Sequence, residues 1–135
     1  MDERLRNYYL ESQVKNASPG QMLIMLYDCL IQQAELADAE LTSPEKPGDV
    51  SLAAQAVSRC INIMSELSTS LKYEENAPLC GTLRDLYQFF TRQFSDAFAK
   101  YDPKKIQAIL PLIRELRNAW VAADKRAGQI QFATA

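Results

Sequence analysis

The spacing of apolar residues constrains the fold of this chain more than any other feature, because four long segments repeat it at helical intervals. Between Pro19 and Leu41 the apolar positions follow the i, i+3, i+4, i+7 pattern of one helix face. Segments over 49–73, 76–101 and 102–128 repeat this pattern, and none of the four alternates with a period of two. The sequence therefore predicts an all-α chain of four helices.

Proline and capping residues indicate where these helices begin. Ser18-Pro19-Gly20-Gln21 offers a capping serine, a proline at the first helical position and a glutamine where a capping box needs its partner. The start signals expected for the other three helices are Asp49 or Ser51, then Asn76 before Ala77-Pro78, then Asp102-Pro103. The ends are expected near Leu41, Tyr73, Tyr101 and Gly128.

Short connections make neighbouring helices antiparallel, so the predicted product is an antiparallel up-down four-helix bundle. Residues 1–17 are expected to form an N-terminal arm or a short extra helix, residues 18–128 the bundle, and residues 129–135 a loose C-terminal tail. Pro111 lies inside the fourth segment and predicts a kink near residues 107–111, because it removes one helical hydrogen bond.

Composition excludes several functional classes. The 135 residues include no histidine, which removes histidine bases and nearly every zinc site, and no glycine-rich phosphate loop is present. Fifteen Lys and Arg against seventeen Asp and Glu leave a formal charge of −2, too weak a field to attract nucleic acid. No apolar run reaches the roughly 18 residues of a membrane span. We therefore expect no cofactor, no metal site, no nucleic-acid partner and no membrane insertion.

The three cysteines, Cys29, Cys60 and Cys80, are odd in number and far apart, so no CxxC pair is available for redox or metal chemistry. We expect all three to be small buried residues of a protein in a reducing compartment. For Asp28, next to the core position Tyr27, one alternative is that it only satisfies a buried backbone or hydroxyl group.

Each helix carries more apolar residues than a single core face requires. The additional residues are Met22, Met25, Cys29 and Leu36 in the first helix, Leu52, Ala54 and Ile63 in the second, Cys80 and Phe89 in the third, and Leu112 and Ala119 in the fourth. Such residues either fill a wide core or leave an exposed groove for another chain.

Three blocks of the sequence, in order, resemble the bacterial flagellar secretion chaperones of the FliS type, which bind newly made flagellin. The first block is Tyr8-Tyr9 followed by Val14-Lys15-Asn16-Ala17-Ser18-Pro19 and Met25-Leu26-Tyr27-Asp28. The second is Ala56, Cys60-Ile61, Ile63, Glu66-Leu67 and Ser70-Leu71. The third is Leu83, Leu86-Tyr87, Leu116-Arg117 and Ala119-Trp120.

The resemblance implies a cytoplasmic export chaperone that holds the disordered C-terminal segment of flagellin, blocks premature polymerisation and delivers the subunit to the export gate. It also implies that the N-terminal arm covers part of the apolar surface when the client is absent. A co-chaperone on the back of the bundle and a second copy of the chain are left open as further partners. The candidate contacts are Tyr8, Val14, Met22, Leu23, Met25, Leu26, Tyr27, Ile61, Ile63, Met64, Leu67, Leu86 and Tyr87. The alternative for each of these residues is that it packs in the core of the bundle and contacts no partner.

Two other functions are compatible with the same residues. A helical-bundle enzyme acting on a small anion would use Arg59, Arg84 and Arg92, with Arg117 as a further candidate, and it requires a deep polar pocket where these side chains converge. A structural homodimer would pair the exposed apolar face with itself. A long, shallow apolar groove would favour the chaperone instead.

Overall fold

The computed structural model describes residues 17–43 and 50–134, with side chains up to residue 127, and all of its regular structure is helical. The helices are α1 (Pro19–Thr42), α2 (Val50–Thr69), α3 (Ala77–Ala99) and α4 (Lys104–Thr134). No strand occurs in these ranges. The predicted all-α four-helix fold is confirmed, whereas the predicted N-terminal arm lies outside the described residues.

The predicted start of α1 is confirmed by its hydrogen bonds. The backbone N–H of Gln21 donates to Ser18 Oγ (3.2 Å), and the backbone N–H of Ser18 donates to Gln21 Oε1 (3.0 Å). This reciprocal pair satisfies two donors that the first helical turn would otherwise leave unpaired. The predicted cap of α3 is also confirmed, since the side chain of Asn76 accepts from the N–H of Leu79 (3.1 Å).

The second helix differs from the prediction at both ends. Ser51 lies inside α2 rather than capping it, and Asp49, the other proposed cap, lies outside the described residues. The helix ends at Thr69 instead of near Tyr73. At this end the hydroxyls of Thr69 and Ser70 donate to the carbonyls of Ser65 and Leu67 (2.8 Å each), and the N–H of Ser70 donates to the carbonyl of Glu66 (3.1 Å).

The fourth helix is longer than predicted, because it continues through Gly128 to Thr134. A glycine inside a helix costs about 1 kcal/mol relative to alanine, which good neighbouring helix formers can offset. Pro111 also lies within the helix, which leaves the carbonyl of Gln107 without an amide donor at position 111. The division of the chain into arm, bundle and tail stays a prediction.

A tight turn joins α3 to α4 at residues 100–103. The N–H of Asp102 donates to the carbonyl of Ala97 (2.8 Å) and the N–H of Tyr101 to that of Phe98 (3.2 Å), which is the Schellman arrangement. Its left-handed position is held by Tyr101, with φ 52°, although glycine is the usual residue there. The Asp102 side chain then accepts from the N–H of Lys104 (3.1 Å) and caps α4.

The four helices form a closed ring of neighbours, in which α1 packs on α2 and α4, and α3 packs on α2 and α4. Each helix contributes one stripe to a single core. The core residues are Tyr27, Leu30, Ala34, Ala37 and Leu41 of α1, Ala53, Ala56, Val57, Cys60, Met64 and Leu67 of α2, Leu83, Tyr87, Phe90, Phe94 and Ala97 of α3, and Ile106, Ile109, Leu110 and Ile113 of α4.

Gly20 allows a close approach between the first turn of α1 and the distal part of α4. A Cβ atom at position 20 would overlap the Asp124 carboxylate, whose Cγ would lie 3.1 Å from it. The absence of a side chain at Gly20 therefore lets Asp124 lie against the N-terminal turn of α1, where a negative charge interacts favourably with the helix dipole.

We expect Gly20→Ala to have opposite effects in two backgrounds. In the unaltered chain the new Cβ displaces the Asp124 carboxylate, and the free energy of unfolding should fall. In an Asp124→Ala background the same change should raise it by up to about 1 kcal/mol, because only the helix propensity of alanine remains. Urea unfolding followed by circular dichroism measures both differences, and equal effects in the two backgrounds would contradict the close contact.

Candidate functional site

Part of the predicted contact set lies in the core. Tyr27, Met64, Leu67 and Tyr87 are almost completely buried, so the surface of the bundle does not present them. The hydroxyls of Tyr27 on α1 and Tyr87 on α3 meet across the core with an Oη–Oη distance of 2.7 Å, one donating to the other. These two residues thus connect helices that are not neighbours in the ring.

Burial raises the pKa of both tyrosines above the ordinary value of 10.0, because a phenolate would lose its hydration in the core. Trp120 of α4 packs against the same core, and the interaction of its indole N–H with the Tyr27 hydroxyl partly offsets the rise in the pKa of Tyr27.

A second apolar stripe lies on the outer surface of α1, on the side toward α2. Met22 and Leu36 are 42% and 39% exposed, Cys29 is exposed, and Met25 is half-buried. Their spacing of three, four and seven residues places them on one face of the helix. With Ile63 of α2 they form what we call the α1–α2 strip.

The position of Ile63 beside this stripe follows from one hydrogen bond. Arg59 Nη1 donates to Gln33 Oε1 (3.4 Å), which places residue 59 beside residue 33. Because α1 and α2 are antiparallel, one turn after residue 59 in α2 lies beside one turn before residue 33 in α1. Ile63 therefore lies beside Cys29. Ile63 is half-buried and packs against the core, as do three further candidate contacts on α1 and α2: Leu23, Leu26 and Ile61.

The groove between α1 and α4 is closed by polar pairs. Arg117 Nε and Nη2 donate to the two carboxylate oxygens of Asp28 (2.8 and 3.4 Å), and Arg114 pairs with Glu35. Asp28 is exposed, so the alternative that it only satisfies a buried group does not hold. It faces α4 and binds a guanidinium. The pairing with Asp28 raises the pKa of Arg117, which stays charged.

Charge is divided between these two helices. α1 carries four carboxylates and no Lys or Arg, whereas α4 carries six Lys or Arg and two carboxylates. Gln107 Nε2 also donates to Asp38 Oδ1 (2.8 Å), so successive levels of α4 contact successive levels of α1 in antiparallel order. Although each exposed pair contributes little free energy, the set fixes which faces of the two helices meet.

A second set of exposed apolar residues lies between α3 and α4, which are the least closely packed of the neighbouring pairs. Leu79, Phe89 and Leu112 are 46%, 39% and 42% exposed, and Leu86 and Leu116 are half-buried against the core. We call these five residues the α3–α4 strip. In the ring of helices the α1–α2 groove and the α3–α4 groove lie on opposite sides, so the bundle has two apolar strips facing away from each other.

The arginines proposed for an enzyme do not converge. Arg59 bonds to Gln33 on α1, Arg84 contacts its neighbour Asp85 (3.3 Å), and Arg117 is paired with Asp28. Arg92 is exposed on α3. No charged side chain within the described ranges is buried, and no cluster of potential metal ligands occurs there.

The prediction of three buried cysteines was correct for Cys60 and Cys80 and wrong for Cys29. Cys29 lies on the second stripe of α1, and the core stripe of that helix already fills the space facing the other helices. Burial raises the pKa of the Cys60 thiol to about 12, so this cysteine stays protonated and unreactive at neutral pH.

The described ranges hold no helix that is both long and apolar enough to cross a bilayer. Two predicted contacts, Tyr8 and Val14, lie outside the described residues. The exposed residues Leu79 and Leu112 were not among the predicted contacts. Leu112 could have been found from the sequence, because it is an apolar residue outside the core stripe of its helix.

Comparison with known proteins gives a consistent result. A family model described as flagellar protein FliS matches residues 1–127. The chain is 29% identical over 119 residues to the flagellar secretion chaperone FliS of Salmonella typhimurium. The matched residues are 87% of this chain and 85% of that protein. It is 25% identical over 111 residues to the protein of the same name from Vibrio cholerae (82% and 79%), and 24% identical over 115 residues to that from Bacillus subtilis (85% and 82%).

We expect Tyr27→Phe to lower the free energy of unfolding by about 1–3 kcal/mol, because it leaves the Tyr87 hydroxyl buried without a partner. The double variant Tyr27→Phe/Tyr87→Phe should be more stable than the sum of the single changes predicts, since no orphaned hydroxyl remains. Urea unfolding of the four proteins measures this coupling. Additive losses would mean that the two hydroxyls do not interact.

We also expect stability to fall in alkaline solution. The raised pKa values of Tyr27, Tyr87 and Cys60 mean that the unfolded chain loses these protons at lower pH than the folded chain does. The contribution of these three groups to the free energy of unfolding is therefore constant below about pH 9. Above that pH it falls by up to about 1.4 kcal/mol per group per pH unit. Urea unfolding at rising pH measures the slope, and Tyr27→Phe/Tyr87→Phe should make it shallower.

Proposed function

The chain belongs to the family of flagellar protein FliS, and from that premise we propose that it is an export chaperone whose client is flagellin. Flagellar secretion chaperones act in flagellar export and are not enzymes. In our proposal the chain binds the disordered C-terminal segment of flagellin in the cytoplasm. It thereby prevents premature polymerisation and delivers the subunit to the export apparatus.

The observation that carries this proposal is the α1–α2 strip, a long, shallow apolar surface. Met22, Met25 and Leu36 extend along the outer face of α1, and Ile63 adds to the surface from α2. A monomer gains nothing from exposing such a stripe to water, and an exposed stripe is typical of an interaction site. Its length favours a peptide over a small molecule, which would need a deep pocket.

The chemistry of the strip suits a client that is unfolded before it binds. Segments that assemble through amphipathic helices expose apolar side chains at intervals of three and four residues, and a strip with the same spacing can cover them. Methionine side chains are flexible and adapt to differently shaped partners. Because ordering the client costs several kcal/mol, the complex can be specific and still release its client for export.

The remaining candidate residues have different places in this proposal. Leu23 and Leu26 are half-buried on α1, where they can contribute part of their surface, whereas Ile61 is half-buried on the side of α2 opposite to Ile63. Tyr27 and Met64 belong to the buried core and do not reach the surface. The other candidate contacts are not part of the strip. Leu67 and Tyr87 lie in the core and Leu86 lies in the opposite groove, whereas Tyr8 and Val14 lie outside the described residues.

The export gate, a co-chaperone and a second copy of the chain complete the proposed partners. If two copies paired through the α1–α2 strip, the same face would be covered before a client arrived. The mass of the free chain therefore bears on the proposal as directly as the binding of the client does.

We expect Met25→Glu and Met22→Glu to weaken binding of a peptide from the flagellin C-terminal segment by about tenfold or more. Each variant buries a carboxylate beneath the apolar side of the client. Fluorescence anisotropy of the labelled peptide measures the affinity. Met22 is the more exposed of the two, so its variant is the one least able to disturb folding.

Asn62→Glu is the matched control, because it adds the same charge to an exposed position of α2 that faces away from α1. It should leave peptide affinity and helicity unchanged. Unaltered affinity of Met22→Glu would contradict the assignment of the strip, and failure of the unaltered chain to bind the peptide would contradict flagellin as the client. If Met25→Glu alone unfolds the chain, Met25 belongs to the core.

A further inference from the structure

The cations at one end of the α3–α4 strip differ from the two arginines of α4 that face α1. Arg114 and Arg117 are paired with carboxylates of α1. Among the described residues, no ion pair involves the four cations near the α3–α4 turn, which are Arg92, Lys100, Lys104 and Lys105. Two carboxylates are near them, and one of these, Asp102, already caps α4, so this end of the groove has a positive excess.

The apolar strip leads directly to these cations. Gln93 Nε2 donates to the carbonyl of Lys105 (3.4 Å), which places the two residues side by side across the groove. The helices are antiparallel, so two turns before Gln93 in α3 lie level with two turns after Lys105 in α4, and Leu86 lies beside Leu112. After two more turns, Leu79 lies at the level of residue 119. The apolar part thus extends about 21 Å from the cationic end, the length of about 14 helical residues.

Phe89 occupies the position between the apolar and cationic parts. Its ring is 39% exposed and tilted against that of the buried Phe90, with ring centroids 6.0 Å apart. Phe89 is therefore anchored to the core on one side and presents its other side to solvent. Arg92 follows it by one helical turn, so apolar and cationic groups are adjacent on the same surface.

We propose that the α3–α4 strip is a second docking surface, which binds an amphipathic helix of a protein partner that carries carboxylates at one end. The apolar stripe of such a helix covers Leu79, Leu86 and Leu112, and its acidic end pairs with Arg92 and Lys105. The charge complementarity selects this partner over a purely apolar one, and the length of the strip matches three to four helical turns.

This surface is separate from the proposed flagellin-binding strip. The α1–α2 and α3–α4 grooves lie on opposite sides of the ring of helices, and the groove between α1 and α4 is closed by Asp28–Arg117 and Glu35–Arg114. A partner helix on α3 and α4 therefore leaves Met22 and Met25 accessible. The proposal holds whether or not flagellin is the client of the opposite face.

The test uses the full chain and two labelled amphipathic helical peptides of about 16 residues, with leucines at helical spacing. One peptide has glutamates in its first turn, and its twin has lysines there. We expect the glutamate peptide to bind at least about tenfold more tightly than the lysine twin, and its affinity to fall as salt is added. Fluorescence anisotropy measures both.

Four variants locate the peptide on the surface. Leu112→Glu should weaken binding of the glutamate peptide by about tenfold or more, whereas Asn118→Glu on the outer face of α4 should not change it. Arg92→Glu should weaken binding and reduce its salt dependence, whereas Lys125→Glu, the same charge change at another exposed position, should have neither effect. Circular dichroism checks that each variant is folded.

Three results would overturn the proposal. Equal affinity for the two peptides would remove the role of the cations. Loss of binding in Met22→Glu together with retention in Leu112→Glu would place the peptide on the α1–α2 strip. A free chain that sedimentation velocity shows to be a dimer, and that Leu112→Glu converts to a monomer, would assign the surface to a second copy of the chain.

Discussion

Each helix of a four-helix bundle has only one side that faces the common axis, and this constraint determines the rest of the structure. The axis of this bundle is filled by one stripe from each helix, with the hydroxyls of Tyr27 and Tyr87 paired inside it. Interiors of proteins are close-packed, so further apolar residues cannot enter a filled core. The second stripe of α1 and the apolar flanks of α3 and α4 therefore remain on the surface, where they become sites for other chains.

The distribution of charge decides which grooves stay open. Carboxylates of α1 and guanidinium groups of α4 meet across one groove and close it, while the α1–α2 and α3–α4 grooves keep apolar borders. Exposed ion pairs add little to the free energy of folding. Their effect here is geometric, because they turn the polar sides of α1 and α4 toward each other and the second apolar stripe of α1 away from α4. Segregated charge and exposed apolar surface are thus two results of the same arrangement.

Sequence periodicity predicted the helices and the core, because the helical repeat is a local property of the chain. It could not separate the core residue Tyr27 from the surface residue Met25, since core and groove use the same spacing and only the neighbouring helices distinguish them. The ends of α2 and α4 were missed for a similar reason. The helix α2 ends early at Thr69, and α4 continues through Gly128. Both outcomes are balances of about 1 kcal/mol that composition does not resolve. The division of charge between α1 and α4 was readable from the sequence, once charges were counted helix by helix.

The position of Trp120 on the core has one more consequence. Trp120 is the only tryptophan in the chain, and it packs on the core beyond the buried Ile113 of α4. Because the ring is only partly buried, its surroundings change when the neighbouring surface is covered. The fluorescence of this single tryptophan therefore depends on the polarity around it, and its emission wavelength shifts when another polypeptide binds nearby or dissociates.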